Sequence, residues 1–287
     1  MPKTGMYFIE TVMSLTNTIT NKIIYKNSYM PELPDLEVFS RNLKSLFAGK
    51  KLVTLKVING KKLKDNPKDL SNTVEGKTLK DLYRSGKELR FKFSNNVILG
   101  MHLMLTGDLF LFEKTNDHKS TIAELRFSNG KGLALTDRLQ KAQIKLNPED
   151  KKGIDALDKG LNFKYLKSIF NRKAGVKNVL LDQDRIRGIG NAYADEILWQ
   201  AGISPFSKVN AIPDEKIKEL VKAIKSVLRN AISQITKKHP GIIHGEVRDF
   251  LKIHSKDKTE SSTGAPIKIE KKGMRKTYYT DEQKLYT

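Results

Sequence analysis

The apolar residues of this chain change period once, and that change limits the fold more than any other feature. Through 51–146 they alternate in the manner of strands, for example over 51–58, 88–93, 97–103, 109–112, 122–127, 133–136 and 142–146, punctuated by Asn-Asn and Asn-Gly turns. From Phe163 onward they recur at three- and four-residue spacing, which predicts helices over 163–170, about 176–183, 192–200, 214–237 and 244–252. The first pattern suggests an antiparallel sandwich, the second a helical domain. A further amphipathic helix precedes the strands, over 36–47, with Pro34 just inside its start, where proline is tolerated. Residues 255–265 read as a loop, and two β-type segments close the chain. The fold class is therefore α+β: an N-terminal antiparallel β-sandwich, a C-terminal helical domain and a small terminal hairpin.

The expected boundaries are an extension over 1–29, a sandwich domain over 30–147, a helical domain over 148–253 and a terminal finger over 254–287. Residues 1–29 are rich in Asn and Thr, lack arginine and have Glu10 inside their apolar patch. They fit neither a secretory signal nor an Arg-rich transit peptide, and read as an upstream start or as a pro-segment. The 287 residues carry a net charge of +21, spread through the chain, which points to a polyanion as partner. With no cysteine there is neither a disulfide nor a thiolate metal site. No run of about 18 apolar residues exists, so no membrane span is expected.

Two strings carry chemistry that can be read from the residues themselves. The first is Met30-Pro31-Glu32-Leu33-Pro34-Asp35-Leu36-Glu37, which has the form of a protein N-terminus lying inside the chain. Removal of everything before Pro31 would leave a secondary amine. Terminal amines titrate at about 7.7–8, so a sizeable fraction of it would be unprotonated near neutrality. Such an amine can attack a sugar aldehyde carbon as Schiff-base lysines attack carbonyls. Its product is an iminium, which keeps its charge without a proton, and Glu32 stands beside it for acid–base work. The second string is Val176-Lys-Asn-Val-Leu-Leu-Asp-Gln183 followed by Gly188-Ile-Gly-Asn-Ala-Tyr-Ala-Asp-Glu-Ile-Leu-Trp199. It reads as helix, glycine turn, helix, with Asn191 at the start of the second helix. Unpaired N–H groups and the positive dipole end make such a terminus a phosphate site, and the glycines would let the backbone approach closely.

These strings, with Arg84-Ser-Gly-Lys87, His102-Leu-Met-Leu-Thr-Gly107 and Gly273-Met-Arg275-Lys-Thr-Tyr-Tyr279, resemble the formamidopyrimidine-DNA glycosylase/endonuclease VIII family over residues 30–287. The resemblance implies that the helical domain is a helix–two-turn–helix unit. It also implies a DNA-formamidopyrimidine glycosylase that is an AP lyase as well, acting on double-stranded damaged DNA as a monomer in the bacterial cytoplasm, at the nucleoid. Catalytic roles are implied for Pro31, Glu32, Lys87 and Arg275. Asn191, Lys177 and, more weakly, Lys173 would bind phosphates, and Leu105 would stand where the family inserts a wedge into the duplex. His102 reads as a strand histidine with a hydrogen-bonded ring. Two departures accompany the match. The family's other wedge residues are replaced by Leu139 and Lys141, and its four zinc cysteines by Ile267, Glu270, Thr280 and Gln283. The latter set cannot make a tetrahedral zinc site, so a zincless finger and no cofactor are expected. A relative that binds damaged or abasic DNA without excising bases, and a basic RNA-associated protein, are the alternative readings.

Overall fold

The computed structural model describes residues 30–287; the expected extension over 1–29 lies outside the described residues. Helix α1 spans Leu33–Phe47 and starts three residues before the apolar periodicity does. Its start is tied on both sides: Asp35 accepts from the Glu32 amide at 2.9 Å, and the Gly188 carbonyl accepts from Leu33 at 3.2 Å. Strands β1 (Leu52–Val57), β6 (Thr121–Phe127), β7 (Gly132–Asp137) and β5 (Gly107–Phe112) form one antiparallel sheet in that order. Strands β2 (Leu79–Ser85), β3 (Glu88–Phe93), β4 (Ile98–His102) and β8 (Gln143–Leu146) form the other. Their inward residues, among them Phe91, Phe93, Leu99, Leu125 and Leu135, make one core. One element there departs from the strand pattern. Pro67–Val74 is a short helix, α2, capped by the Asn66 side chain on the Lys68 amide. Asn followed by Pro at the first helical position was the available signal.

The helical domain holds α3 (Phe163–Phe170), α4 (Val176–Leu181), α5 (Asn191–Gln200) and α6 (Asp214–Lys238) around a second core containing Tyr193, Ile197, Leu198, Leu220 and Ile224. Helix α1 belongs to both cores. Leu36, Phe39, Leu43 and Phe47 pack into the sandwich, while Leu33 and Val38 pack into the helices. Its N-terminus is thereby held where the domains meet. The connection over 147–160 contributes a two-residue strand, β9 (Ile154–Asp155), paired in parallel with β10 (Ile186–Arg187).

The helix expected over 244–252 is absent. Ile243, Val247 and Leu251 are buried at four-residue spacing, which explains the helical reading. The backbone is set by other partners. The Glu196 carboxylate accepts the amides of Lys252, Ile253 and His254 at 2.8–2.9 Å, and Gly241 and Gly245 have positive φ. Buried side chains on a neighbouring helix thus override local propensity.

The terminal finger pairs β11 (Lys268–Lys272) with β12 (Arg275–Tyr279) through a tight turn at Gly273. The residues at the four zinc positions do not fit the metal. Gln283 accepts the Thr280 amide at 2.9 Å and donates to the Ile203 carbonyl at 2.8 Å, both Gln283 and Thr280 being buried. Ile267 offers no donor atom in its side chain, and its amide donates to the Thr259 carbonyl. Hydrogen bonds to the helical domain therefore anchor the hairpin.

Candidate active site at the domain junction

Glu32 lies at the meeting point of the two domains and is 4% exposed. Its carboxylate accepts N–H bonds from Gly190 at 2.8 Å, Ala192 at 3.0 Å and Tyr193 at 3.4 Å, the unpaired amides at the start of α5. This changes the reading of the glycine turn. The positive end of α5 receives a carboxylate of the protein itself. A side chain on Gly190 would collide with Glu32, its Cβ coming within 2.3 Å of the carboxyl carbon. Gly188, at φ +101°, faces Leu33, where a Cβ would come within 2.5 Å. Both glycines thus make room for the Glu32-Leu33 dipeptide, which differs from the expected close approach to a nucleic acid. Pro31, the residue before Glu32, is buried with it.

Lys87 sits in the β2–β3 turn, and the turn is built from below. Asp155 accepts from the Gly86 amide at 3.0 Å and takes the Arg84 guanidinium at 2.6 and 3.1 Å, while Arg84 also reaches Glu37 at 3.0 Å. Burial lowers the Lys87 ammonium below its ordinary range; Glu32 opposes that fall, and Arg275, Arg248 and Lys151 reinforce it. These charges place Lys87 in the electrostatic neighbourhood of Glu32 and Arg275. A lysine depressed in this way gives and accepts protons more readily than an exposed one.

Asn191, Lys177 and the finger meet on one side of this group. Asn191 donates from Nδ2 to the Lys276 carbonyl at 2.9 Å, beside the exposed Arg275. Lys177 differs from the expectation of an open phosphate contact. It is 7% exposed, and its Nζ is 2.6 Å from Asp195, 2.9 Å from Thr277 Oγ1 and 3.4 Å from the Lys276 carbonyl. Its charge is balanced by Asp195, so its visible role is to seat β12 against α4 and α5. Asp195 also accepts the Tyr278 amide at 3.1 Å and touches His254 Nδ1 at 2.7 Å. Lys173 is exposed just before α4 and lies outside this network. Replacement of Asn191 by alanine is expected to free the hairpin edge and weaken binding to every duplex by about 5–10-fold, the worth of one neutral hydrogen bond such as that to the Lys276 carbonyl. Titration of intact and damaged duplexes checks this; a loss confined to one lesion contradicts it.

Leu105 and Leu139 are 40% and 41% exposed, large apolar side chains on two neighbouring loops. Asp137, a residue that the sequence reading missed, joins those loops. It accepts the Thr106 hydroxyl, the Leu139 amide at 2.9 Å, the Lys141 amide at 2.6 Å and the Ala142 amide at 2.7 Å. Burial works against its charge, yet these donors hold its carboxyl below the ordinary range. Nothing in the local sequence marks Asp137 as the tie between loops so far apart in the chain. Asp155 and Asp195 are similar cases, since each gains its role only when remote strands and helices pack.

His102 ends β4 and accepts the Met104 amide on Nδ1 at 3.0 Å. Burial pushes its pKa down to about 4, with Lys87 and Lys151 adding to the fall. The unfolded chain therefore binds a proton near pH 6.5 that the native protein refuses until about pH 4. Stability should fall as pH drops through this window, by up to about 1.4 kcal/mol per pH unit. His102→Gln, which keeps an acceptor, is expected to flatten that slope in denaturant titrations at about pH 7 and about pH 4.5.

Models of known families match both domains. The N-terminal domain of formamidopyrimidine-DNA glycosylase covers residues 30–144, and its H2TH domain covers 153–240. A formamidopyrimidine-DNA glycosylase of Ligilactobacillus salivarius is 31% identical over 207 residues, 67% of this chain and 73% of that protein. One from Mycoplasma genitalium is 30% identical over 263 residues, 85% and 91% of the two chains. The structure of MutM in complex with carbocyclic 8-oxo-G containing DNA superposes with a TM-score of 0.79 at 25% identity, covering 87% of this chain and 98% of that one. The Lactococcus lactis formamidopyrimidine-DNA glycosylase bound to DNA containing an AP site has the same fold, with a TM-score of 0.79 at 24% identity over 88% and 100% of the chains.

A sandwich joined to a helix–two-turn–helix unit, with an acid locked on the second helix between them, defines a DNA glycosylase of the H2TH class. The chain belongs to the formamidopyrimidine-DNA glycosylase family and is a glycosylase of base excision repair. Among the described residues no helix is long and apolar enough to cross a membrane.

Proposed function

We propose that this glycosylase is bifunctional, removing oxidised bases from double-stranded DNA and then cleaving the strand as an AP lyase. The observation that carries the reading is the placement of Pro31-Glu32. The dipeptide is buried at the domain junction, its carboxylate fixed by three α5 amides and felt electrostatically by Lys87 and Lys177, with Arg248 and Arg275 close to Lys87. The damaged nucleotide must leave the stack for its C1′ to be reached. Pro31, once its nitrogen is freed from the bond to Met30, attacks C1′ and the base departs with the bonding electrons and a proton. The Glu32 carboxylate takes the proton that the Pro31 nitrogen sheds on attack and passes it to the sugar ring oxygen, and the ring opens to an iminium between Pro31 and C1′. The iminium draws electrons from the C2′–H bond. Loss of that proton expels the 3′ phosphate, and a second elimination expels the 5′ phosphate. Lys87, with its depressed pKa, takes part in these proton transfers, while Arg275 and Asn191 hold phosphates. Lys177 acts through the finger it seats, Lys173 adds an outlying phosphate contact, and Leu105 fills the gap left by the flipped base. The protein acts as a monomer and needs no cofactor.

A second reading, an abasic-site binder without covalent chemistry, is favoured by one observation. In the chain as written the Pro31 nitrogen is an amide of Met30. Borohydride reduction in the presence of an abasic duplex separates the two. Protein beginning at Pro31 is expected to become covalently attached to the DNA, and full-length protein is not. Binding without attachment by the Pro31-initiated protein supports the second reading instead.

A further inference from the structure

Arg248 lies in the non-helical segment after α6, yet its guanidinium reaches the first turn of α1. Nη1 and Nη2 donate to the two carboxylate oxygens of Asp35 at 2.8 and 2.7 Å, a bidentate fork. Asp35 is fully buried, and its Oδ2 also accepts the Glu32 amide at 2.9 Å. The remaining Arg248 partners hold the fork in place. Nη2 donates to Glu246 at 2.6 Å, Nη1 to the Val247 carbonyl at 2.9 Å, and the guanidinium lies 5.1 Å from the Tyr193 ring centroid. Three remote parts of the chain thus converge on one peptide unit. Glu32 is held at its carboxylate by α5, and at its backbone by Asp35 and Arg248.

We propose that Arg248 is a positioning residue of the reaction, setting Asp35 and through it the backbone that carries Glu32 and Pro31. The proposal rests on Pro31 being the nucleophile. Asp35 alone would satisfy the Glu32 amide. What the guanidinium adds is orientation, because both carboxylate oxygens are tied and the plane of Asp35 can no longer turn. The pair also explains how the buried Asp35 charge persists at this junction beside a half-buried guanidinium. Burial pushes Glu246 up, against the pull of Arg248, and Asp35 is the partner that meets the guanidinium through both carboxylate oxygens. Of the charged groups around Arg248, Asp35 and Glu32 come from the start of α1, Glu246 from its own segment and Lys87 from the β2–β3 turn, while the Tyr193 hydroxyl comes from α5. A shift of about 1 Å in a reacting group costs on the order of 100-fold in rate.

The test uses protein beginning at Pro31 and a saturating abasic duplex, with the first-order rate of borohydride attachment measured beside the duplex Kd. Arg248→Gln is expected to slow attachment about 10–100-fold while Kd stays within about twofold. Asp35→Asn should slow it comparably, and the double variant should be no slower than the worse single one, since both break one link. Arg248→Lys keeps the charge and most of the volume but cannot form the fork; it should be slowed about 5–10-fold with an unchanged melting temperature. Should Arg248→Gln unfold, Arg248→Lys decides the matter. Attachment by Arg248→Lys at the parent rate overturns the proposal, as does multiplication of the two losses in the double variant or a loss confined to Kd. A parent that binds the duplex but never attaches overturns the Pro31 reading and this proposal with it; a parent that attaches, beside an unaffected Arg248→Lys, overturns this proposal alone.

Discussion

Pro31→Gly, made in protein that begins at residue 31, is expected to lower covalent attachment to abasic DNA by about 100-fold or more. Glycine leaves an amine at the same place, so the loss has to come from what the ring supplies. A secondary amine condenses to an iminium that carries its charge at any pH, whereas the imine of a primary amine must first be protonated to act as an electron sink. The pyrrolidine ring also stiffens the chain at its nitrogen, so the nucleophile enters the site in one orientation. Glycine gives up that restraint and the buried packing of the ring. Misplacement and a weaker sink act on the same step, and each is worth orders of magnitude. Duplex binding should change little, because the proposed phosphate contacts fall to Arg275 and Asn191. Attachment at the parent rate would move the nucleophile to another residue.

Gly190→Ala is expected to lower both stability and activity sharply. Gly190 has φ −119° and ψ −168°, a conformation that alanine adopts freely, so backbone strain is not the cause. The added Cβ would come 2.3–2.6 Å from the Glu32 carboxyl atoms. The carboxylate must then leave the amides of Gly190, Ala192 and Tyr193. Leaving a buried group unpaired costs about 1–3 kcal/mol, so with three amides stranded a loss of roughly 3–9 kcal/mol in stability is expected. Activity should fall by about 100-fold, since the acid–base group proposed for the reaction itself moves. Glu32→Ala provides the control. Where the collision is absent, alanine at 190 should add little, and the double variant should match Glu32→Ala alone in both melting temperature and rate. Independent losses would place the defect in the turn and not in its contact with Glu32.

Much of the fold was legible because the periodicities are local. The strand-like run falls where the alternation places it, although β2 is not singled out within it, and the helices over 163–170 and 214–237 emerge within a residue of their expected bounds. The helix over 244–252 failed although Ile243, Val247 and Leu251 carry the right spacing. Its last amide, that of Lys252, is captured by Glu196 together with the two that follow, and its Arg248 by Asp35, partners 56 and 213 residues away in sequence. No local pattern reports such captures. The glycine turn was recognised, but its reason was not. Gly188 and Gly190 accommodate Leu33 and Glu32, a contact visible only after the two domains pack.

The residues alone determined the class of chemistry available here: a proline that can become a terminal amine, an acid next to it, no thiols, and an excess of positive charge suited to phosphate. Short-range spacing and composition suffice for that. Which groups face one another was decided by tertiary structure. Helix α1 shares its faces between two cores, and this places Glu32 on the end of α5, Lys87 within its field and Arg248 behind Asp35. Burial then gives His102, Glu246 and Lys87 proton affinities unlike those of free side chains, because desolvation depends on everything packed around a group and on nothing in its sequence neighbourhood.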